Sequence, residues 1–221
     1  NQIVTNVGNM ENKGVEFTLN AIPIRNKDFT WDLNFNFTYN TREITNLSKV
    51  IDNTASIAVG GIGGGVGNTI QLYTVGYAPR TFYVYKQVYD QNNKPIEGLY
   101  VDLNKDGAST EADKYRYKNP QPDYFMGLGS QFSYKKWSLS FAARASIGNY
   151  MYNNFHSNSG TYQNFVFPNY LGYVAKDVLN TGFTVPRLWS DYYIENASFL
   201  RMDNINLGFN VGKISKNTSL R

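Results

Sequence analysis

The sequence predicts an all-β chain, a stretch of antiparallel transmembrane β-barrel with long extracellular loops. Three observations lead there: five segments alternate between apolar and polar residues, short turns between them alternate with very long connections, and aromatic residues gather near segment ends. Successive side chains of a strand point to opposite faces, so alternation gives each segment one apolar and one polar face. The apolar face must meet either a protein core or lipid.

The first segment, about residues 13–24, sets Val15, Phe17, Leu19 and Ala21 against Glu16, Thr18 and Asn20. The short turn "RNKD" leads into the second, about 29–41, where Trp31, Leu33, Phe35, Phe37 and Tyr39 oppose Asp32, Asn34, Asn36, Thr38 and Asn40. The third, about 123–134, carries Tyr124, Met126, Leu128, Phe132 and Tyr134 opposite Gly127, Gly129, Gln131 and Ser133. A two-residue turn, "KK", follows. The fourth, about 137–152, places Trp137, Leu139, Phe141, Ala143, Ala145 and Ile147 against Ser138, Ser140, Arg144 and Ser146. The fifth, about 197–211, sets Ile205, Leu207, Phe209 and Val211 against Asn204, Asn206, Gly208 and Asn210, and "GKISKNTS" reads as one more short turn.

The remaining connections are about 42–121 and 153–196. Compact soluble domains keep most connections to about 4–6 residues, whereas membrane barrels combine short periplasmic turns with long outer loops. Phe29, Trp31, Tyr39, Tyr124, Tyr134, Trp137, Tyr150 and Tyr152 fall where two interfacial girdles would lie. The polar faces, rich in Asn, Ser, Thr, Gln and Gly, suit an aqueous lumen. The alternative reading is a soluble or surface-anchored carbohydrate-binding β-sandwich with the same residues facing solvent. Five strands cannot close around a lumen, and open edges in lipid leave backbone groups unsatisfied. The chain is therefore expected to be a fragment of one barrel domain: "NQIVTNVGNM" reads like the interior of a loop and "KNTSLR" like the start of another strand.

Composition narrows the function. Charged residues are only 17% while aromatics reach 16%, with Tyr 18, Phe 14 and Trp 3, and Tyr suits membrane interfaces and sugar-binding surfaces alike. The net charge of +4 comes without a long Lys/Arg run, so nucleic acid is not an expected partner. No apolar stretch approaches the roughly 18 residues of a membrane helix, which leaves barrel strands open. With Cys 0 and His 1, disulfides, thiolate metal sites, zinc sites and His-based triads lack raw material. Asp191, Glu195 and Asp203 show no pairing suited to acid and nucleophile. No enzyme is expected.

The sharpest local motif is "DLNKDGASTEAD", which matches a twelve-residue calcium loop. Asp102, Asn104, Asp106, Gly107 and Asp113 occupy positions 1, 3, 5, 6 and 12, with the Ala108 carbonyl at 7 and Thr110 at 9. A structural Ca2+ holding the loop is the expectation. Two features depart from the pattern: Asp113 reaches less far than the usual Glu, and the flanks look extended rather than helical. The alternative is a turn-rich loop whose Asp and Asn bond only to nearby amides. "VGGIGGGVGNT" lacks the Lys-Ser/Thr of a phosphate loop and reads as a flexible surface loop. Tyr162, Phe165, Phe167, Tyr170, Trp189, Tyr192 and Tyr193 are candidates for a substrate- or partner-facing aromatic surface, or else for a small core within the long connection.

"NVGNMENKGVEFTLNAIPI", "FTWDLNFNFTYN", "LYVDLNKDG", "NPQPDYFMGLG", "WSLSFAARASIGNYMYN" and "NASFLRMDNINLGF", in that order, resemble the C-terminal barrel portion of SusC/RagA-type TonB-dependent outer-membrane transporters over nearly all 221 residues. The resemblance implies a barrel in the outer membrane of a Gram-negative bacterium, surrounded by its lipid. It also implies active uptake of oligosaccharides or peptides, energised by the TonB complex and shared with a SusD-like surface lipoprotein. The plug domain, the TonB-contacting segment and the closing strands of that family are absent from these residues. In family terms 42–121 and 153–196 are extracellular and the short turns periplasmic.

Overall fold

A computed structural model describes residues 8–47, 56–165, 172–215 and 218–220. They divide into two compact units. One holds Lys13–Thr41, Pro122–Asn149 and the chain from Ala197 onward; the other holds Arg42–Gln121 and Tyr150–Asn196 with the first residues of the chain.

In chain order, β1 (Asn9–Arg25) and β2 (Phe29–Asn46) come first. The first long connection carries β3 (Ser56–Gly61), β4 (Thr69–Thr74), β5 (Thr81–Tyr85), β6 (Gln87–Tyr89), β7 (Pro95–Tyr100) and β8 (Lys114–Arg116). Next are β9 (Tyr124–Tyr134), β10 (Trp137–Ile147) and β11 (Tyr150–Tyr152). The second connection contributes α1 (Asn154–Ser159), α2 (Val178–Thr181) and β12 (Ile194–Asn196), and the chain ends in β13 (Phe199–Phe209), β14 (Gly212–Ser215) and β15 (Thr218–Leu220).

The first unit is a five-stranded sheet ordered β1-β2-β9-β10-β13. Its turns are built locally: Asn26 Oδ1 accepts from the backbone of Asp28 and Phe29 at 3.0 and 2.8 Å, and Lys135 takes φ 52° in the two-residue turn. The antiparallel registers align the apolar sides of successive strands into rows. Phe29, Tyr134, Trp137 and Phe209 form one row; Trp31, Phe132, Leu139 and Leu207 the next; Tyr39 and Tyr124 pair near the far end. Rings meet along these rows, Trp31 with Phe132 at 5.6 Å, Trp137 with Phe209 at 4.5 Å and Tyr39 with Tyr124 at 5.0 Å.

This apolar face is not a core. Val15, Phe17, Trp137, Ile205 and Leu207 are all exposed, Leu207 by 70%, and a face of that extent does not persist in water. Its height suits lipid. The two aromatic rows are ten residues apart, Phe29 to Tyr39, which is about 34 Å of strand and, at a barrel tilt of about 40°, about 26 Å of height against an apolar band of ~25 Å. Trp31 Nε1 donates to Ser130 Oγ at 2.9 Å, giving a partner to the serine that interrupts the apolar side of β9.

Two features depart from plain alternation. In β13 the register with β10 shifts between Met202 and Asn204, so that Asp203 is an unpaired bulge residue. Leu200 and Met202 thereby share the side of Ile205, Leu207 and Phe209 although their spacing is out of phase. The segment expected as one strand over 137–152 is two, because Gly148 at φ 91° bends the chain, and a Cβ there would lie 2.7 Å from Asp123 Oδ2. β11 then pairs with β12.

The second unit has a core of its own, Ile70, Phe82, Val84 and Ile194, packed round by Ile62, Tyr115, Tyr150, Tyr152 and Trp189. The four-stranded sheet ordered β3-β4-β5-β8 supplies Ile70, Phe82, Val84 and Tyr115, and the β11-β12 pair supplies Tyr150, Tyr152 and Ile194. The glycine-rich stretch is the tip of the β3-β4 hairpin rather than a free loop: Ile62 N donates to Asn68 O at 3.0 Å, and Gly64, Gly65 and Gly67 take positive φ between.

Candidate functional site

Two surfaces carry recognition chemistry, one on each unit. On the sheet, the polar sides align as the apolar ones do, Asp32 with Gln131, Ser140 and Asn206, and Asn34 with Gly129, Ala142 and Asn204. A concavity of about 550 Å³ opens over Gly129, lined by Asn20, Asp32, Asn34, Gln131 and Ser140 together with the apolar Ala21, Ile22, Leu33 and Phe141, with Asn34 donating to Asn20. Amides and hydroxyls both donate and accept, so this surface suits a ligand with many hydroxyls or peptide groups. Beyond it Arg144 and Arg201 face a single carboxylate, Asp203, at 3.3 and 3.6 Å.

On the loop unit the 3-10 helix Tyr162–Phe165 presents Tyr162 and Phe165, both about half exposed and stacked with centroids 6.0 Å apart. The turn is tied down. Tyr162 N and Gln163 N donate to Phe183 O and Thr184 O, both at 2.9 Å. Glu97 in turn accepts from Thr184 N, Thr184 Oγ1 and Val185 N, with Arg187 Nε 3.6 Å away. Burial raises the Glu97 pKa, but the Val185 and Thr184 donors and Arg187 outweigh it and hold the carboxyl below the usual range.

The other aromatic candidates divide by place. Tyr193 is 1% exposed and belongs to the interior; Trp189 is half-buried with Nε1 donating to Thr69 O at 2.9 Å. Tyr192 donates to Asp177 Oδ1 at 3.0 Å, and burial followed by that contact raises its pKa. Phe167 and Tyr170 lie outside the described residues. Of the seven, Tyr162 and Phe165 are the ones placed as an open platform.

The acidic loop folds on itself. Asp102 accepts from the backbone of Lys105 and Gly107 at 2.6 and 2.8 Å, Asn104 Oδ1 from Asp106 at 3.0 Å, and Asp106 Oδ1 from Ala108 at 2.9 Å. Asp113 is buried and closes the loop, accepting from Leu103 and Thr110 at 2.8 Å and from Asn104 at 3.3 Å. Thr110 and Asp113 cap the 3-10 helix Glu111–Asp113 reciprocally. The donors led by Thr110 N hold the Asp113 pKa below the ordinary value. A cation seated among Asp102, Asn104, Asp106, the Ala108 carbonyl and Asp113 would compete with these amides for the same oxygens.

Sequence reasoning missed the buried polar residues that tie the loop unit together. Gln87 is buried and satisfied on both sides: Nε2 donates to Ile96 O at 2.7 Å and Oε1 accepts from Ser190 Oγ at 2.7 Å. Asp191 accepts from Gln87 N at 2.9 Å and Tyr115 OH at 2.7 Å, and burial raises its pKa. The Gln87–Asp191, Tyr115–Asp191 and Gln87–Ser190 pairs are 76 to 104 residues apart, and no local pattern announces them.

No family model matches the chain. The TonB-dependent receptor SusC of Bacteroides thetaiotaomicron is 44% identical over 223 residues, covering 97% of this chain and 22% of that protein. The TonB-dependent receptor P3 of Formosa agariphila is 29% identical, covering 94% of this chain and 22% of that protein. Among solved structures, the RagAB peptide transporter matches with a TM-score of 0.68 at 26% identity over 93% of this chain and 23% of that chain. The chain thus spans less than a quarter of the relatives that it matches.

Proposed function

The chain belongs to the SusC/RagA-type TonB-dependent receptors, a family of the Gram-negative outer membrane, and from that premise we propose that it forms wall strands and outer loops of an importer for oligosaccharides. The observation that carries this reading is the sheet with one exposed apolar face bounded by aromatic rows and one face of amides and hydroxyls. Lipid covers the first face; the second lines an aqueous path. The sheet's outer edges, β1 and β13, pair in the parent barrel with strands beyond these residues.

On the loop unit, Tyr162 and Phe165 offer substrate a stacking platform of the kind that binds sugar rings. On the sheet, the amides and hydroxyls of the concavity over Gly129 offer hydrogen bonds in both senses beside apolar lining. The work is binding and passage rather than bond-making. Likeness to the RagAB peptide transporter favours peptides as the second reading. A plug, the TonB complex that energises it and a SusD-like lipoprotein on the outer face complete the assembly in this proposal.

The test is extraction of the parent protein from outer membranes in mild detergent, with mass spectrometry of whatever co-elutes. A stoichiometric surface lipoprotein supports the capped importer. A barrel that elutes alone removes the lipoprotein, and a product confined to the soluble fraction overturns the proposal.

A further inference from the structure

The segment Lys114–Lys118, "KYRYK", alternates cation and tyrosine, and its cations are each laid against aromatic rings. Lys114 Nζ is 5.1 Å from the Tyr85 ring centroid and 4.8 Å from that of Trp189; Arg116 Cζ is 4.6 Å from Tyr77 and 5.9 Å from Tyr83; Lys118 Nζ is 5.0 Å from Tyr150 and 5.6 Å from Tyr117. Their counter-ions differ. Lys114 is bonded to both oxygens of Glu111, at 2.7 and 2.8 Å. Arg116 and Lys118 have no carboxylate within ion-pair distance among the described residues, and the Nε of Arg116 is buried without an acceptor.

Stacking on a ring takes one face of a guanidinium out of water and fixes its plane, but it neither neutralises the charge nor satisfies the in-plane N–H groups. Nε is closed to solvent, so the groups left to a ligand are the Nη N–H donors at the end of the guanidinium, which match a carboxylate or sulfate able to accept two parallel bonds. Tyr77, 44% exposed, keeps the Arg116 clamp at the surface, and Lys118, two residues further on, is exposed. We infer that Arg116, held by Tyr77 and Tyr83 and assisted by Lys118, is a binding subsite for an anionic group, carboxylate or sulfate, on the incoming ligand. The inference rests on the importer reading and adds a charge preference to it.

The test uses the full-length receptor in detergent with four probes: trigalacturonate, maltotriose, triglutamate and trialanine. Wild-type receptor is expected to bind an anionic probe at least about tenfold more tightly than its neutral counterpart, since hydrogen bonds to a charged acceptor are stronger than neutral ones, and to lose most of that preference in high salt. Trigalacturonate binding places the anion on a saccharide, triglutamate binding on a peptide. Arg116→Gln should remove the preference and leave neutral binding unchanged; Arg116→Lys should keep part of it; Lys135→Gln, in the β9-β10 turn, should keep all of it. Equal affinity for charged and neutral probes, no binding of either anionic probe, or an unchanged preference in Arg116→Gln overturns the inference. Arg116→Lys, which keeps the charge, supplies the reading if Arg116→Gln does not fold: a preference equal to wild type there, unaltered by loss of the planar fork, also overturns the inference. Membrane extraction judges the importer reading separately, so a receptor that assembles in the outer membrane without an anion preference overturns the subsite alone.

Discussion

Asp203 Oδ1 lies 3.3 Å from Arg144 Nε on the neighbouring strand, and the same oxygen is 3.6 Å from Arg201 Nε on its own. Asp203 is also the residue by which β13 slips against β10. One residue thus corrects the phase of the strand and brings a carboxylate to two arginines. Without it, Leu200, Arg201, Met202, Asn204, Ile205 and Asn206 would alternate perfectly.

Deleting Asp203 is therefore expected to leave barrel assembly close to wild type, because no apolar side chain changes face. Deleting Leu139, in β10 where the pairing is regular, turns the following side chains over and should abolish assembly. Heat-modifiable migration of the outer-membrane fraction reads both. If the two deletions behave alike, the bulge does not set the phase.

Depth along the apolar face gives a graded outcome. Phe141 is in the middle rows and Trp137 in an aromatic row. Phe141→Lys should cost about 2–4 kcal/mol of folding in bilayers and Trp137→Lys about 0–1 from the charge alone, the depth dependence of a lipid-facing strand. Gln131→Lys, on the polar face, should cost less than Phe141→Lys. Urea titration of the full-length barrel in vesicles measures all three. Equal costs would argue against lipid on this face.

Two carboxylates in the loop unit respond to pH in opposite senses. Asp113 is held below its ordinary pKa by amides of Thr110, Asn104 and Leu103, so its contribution is present above the unfolded value and is lost as pH falls through the folded one. Asp191 is raised by burial, so it opposes folding at neutral pH, and that cost lifts as pH falls through its raised value. Asp113→Asn should destabilise the loop at pH 7 and flatten its acid sensitivity. Asp191→Asn should be nearly neutral at pH 7, since an amide can still partner Gln87 N and Tyr115 OH. Hydrogen exchange of 97–116 across pH 3–7 checks both signs.

The same hydrogen bonds bear on calcium. Asp102, Asn104, Asp106 and Asp113 already accept from the loop's own backbone, so chelation is expected to leave proteolysis of the 102–113 segment unchanged. Protection that appears with added Ca2+ would show that the ion displaces those amides.

What was legible in the sequence was what depends on local pattern. Strands of 11 residues or more repeat their alternation often enough to be seen, and paired registers follow from the two tight turns. The strands of the loop unit are three to six residues long. Ile70, Phe82 and Val84 meet Ile194 across more than a hundred residues, and a period cannot be read from three positions. The bulge did leave a trace, the change of parity between Met202 and Ile205. Gly148 marked the break in the fourth segment, but glycine within a strand is equally common on these polar faces, at Gly127, Gly129 and Gly208.

The aromatic candidates separate by experiment as they do by place. Tyr162 and Phe165 are exposed and held by backbone bonds to Phe183 and Thr184, so Tyr162→Ala with Phe165→Ala should fold normally and weaken oligosaccharide binding about tenfold, the loss of one to two stacking contacts at about 0.5–1.5 kcal/mol each. Tyr193 is interior, and Tyr193→Ala should cost about 3–5 kcal/mol of loop-unit stability, the usual cost of emptying a buried aromatic site. Its hydroxyl is buried without a partner, and an unsatisfied polar atom costs about 1–3 kcal/mol. Tyr193→Phe should accordingly be neutral or stabilising. Thermal unfolding and binding isotherms on the same preparations keep the effects apart: a Tyr193→Phe variant that binds sugar less well at full stability would move this residue from the interior to the recognition surface.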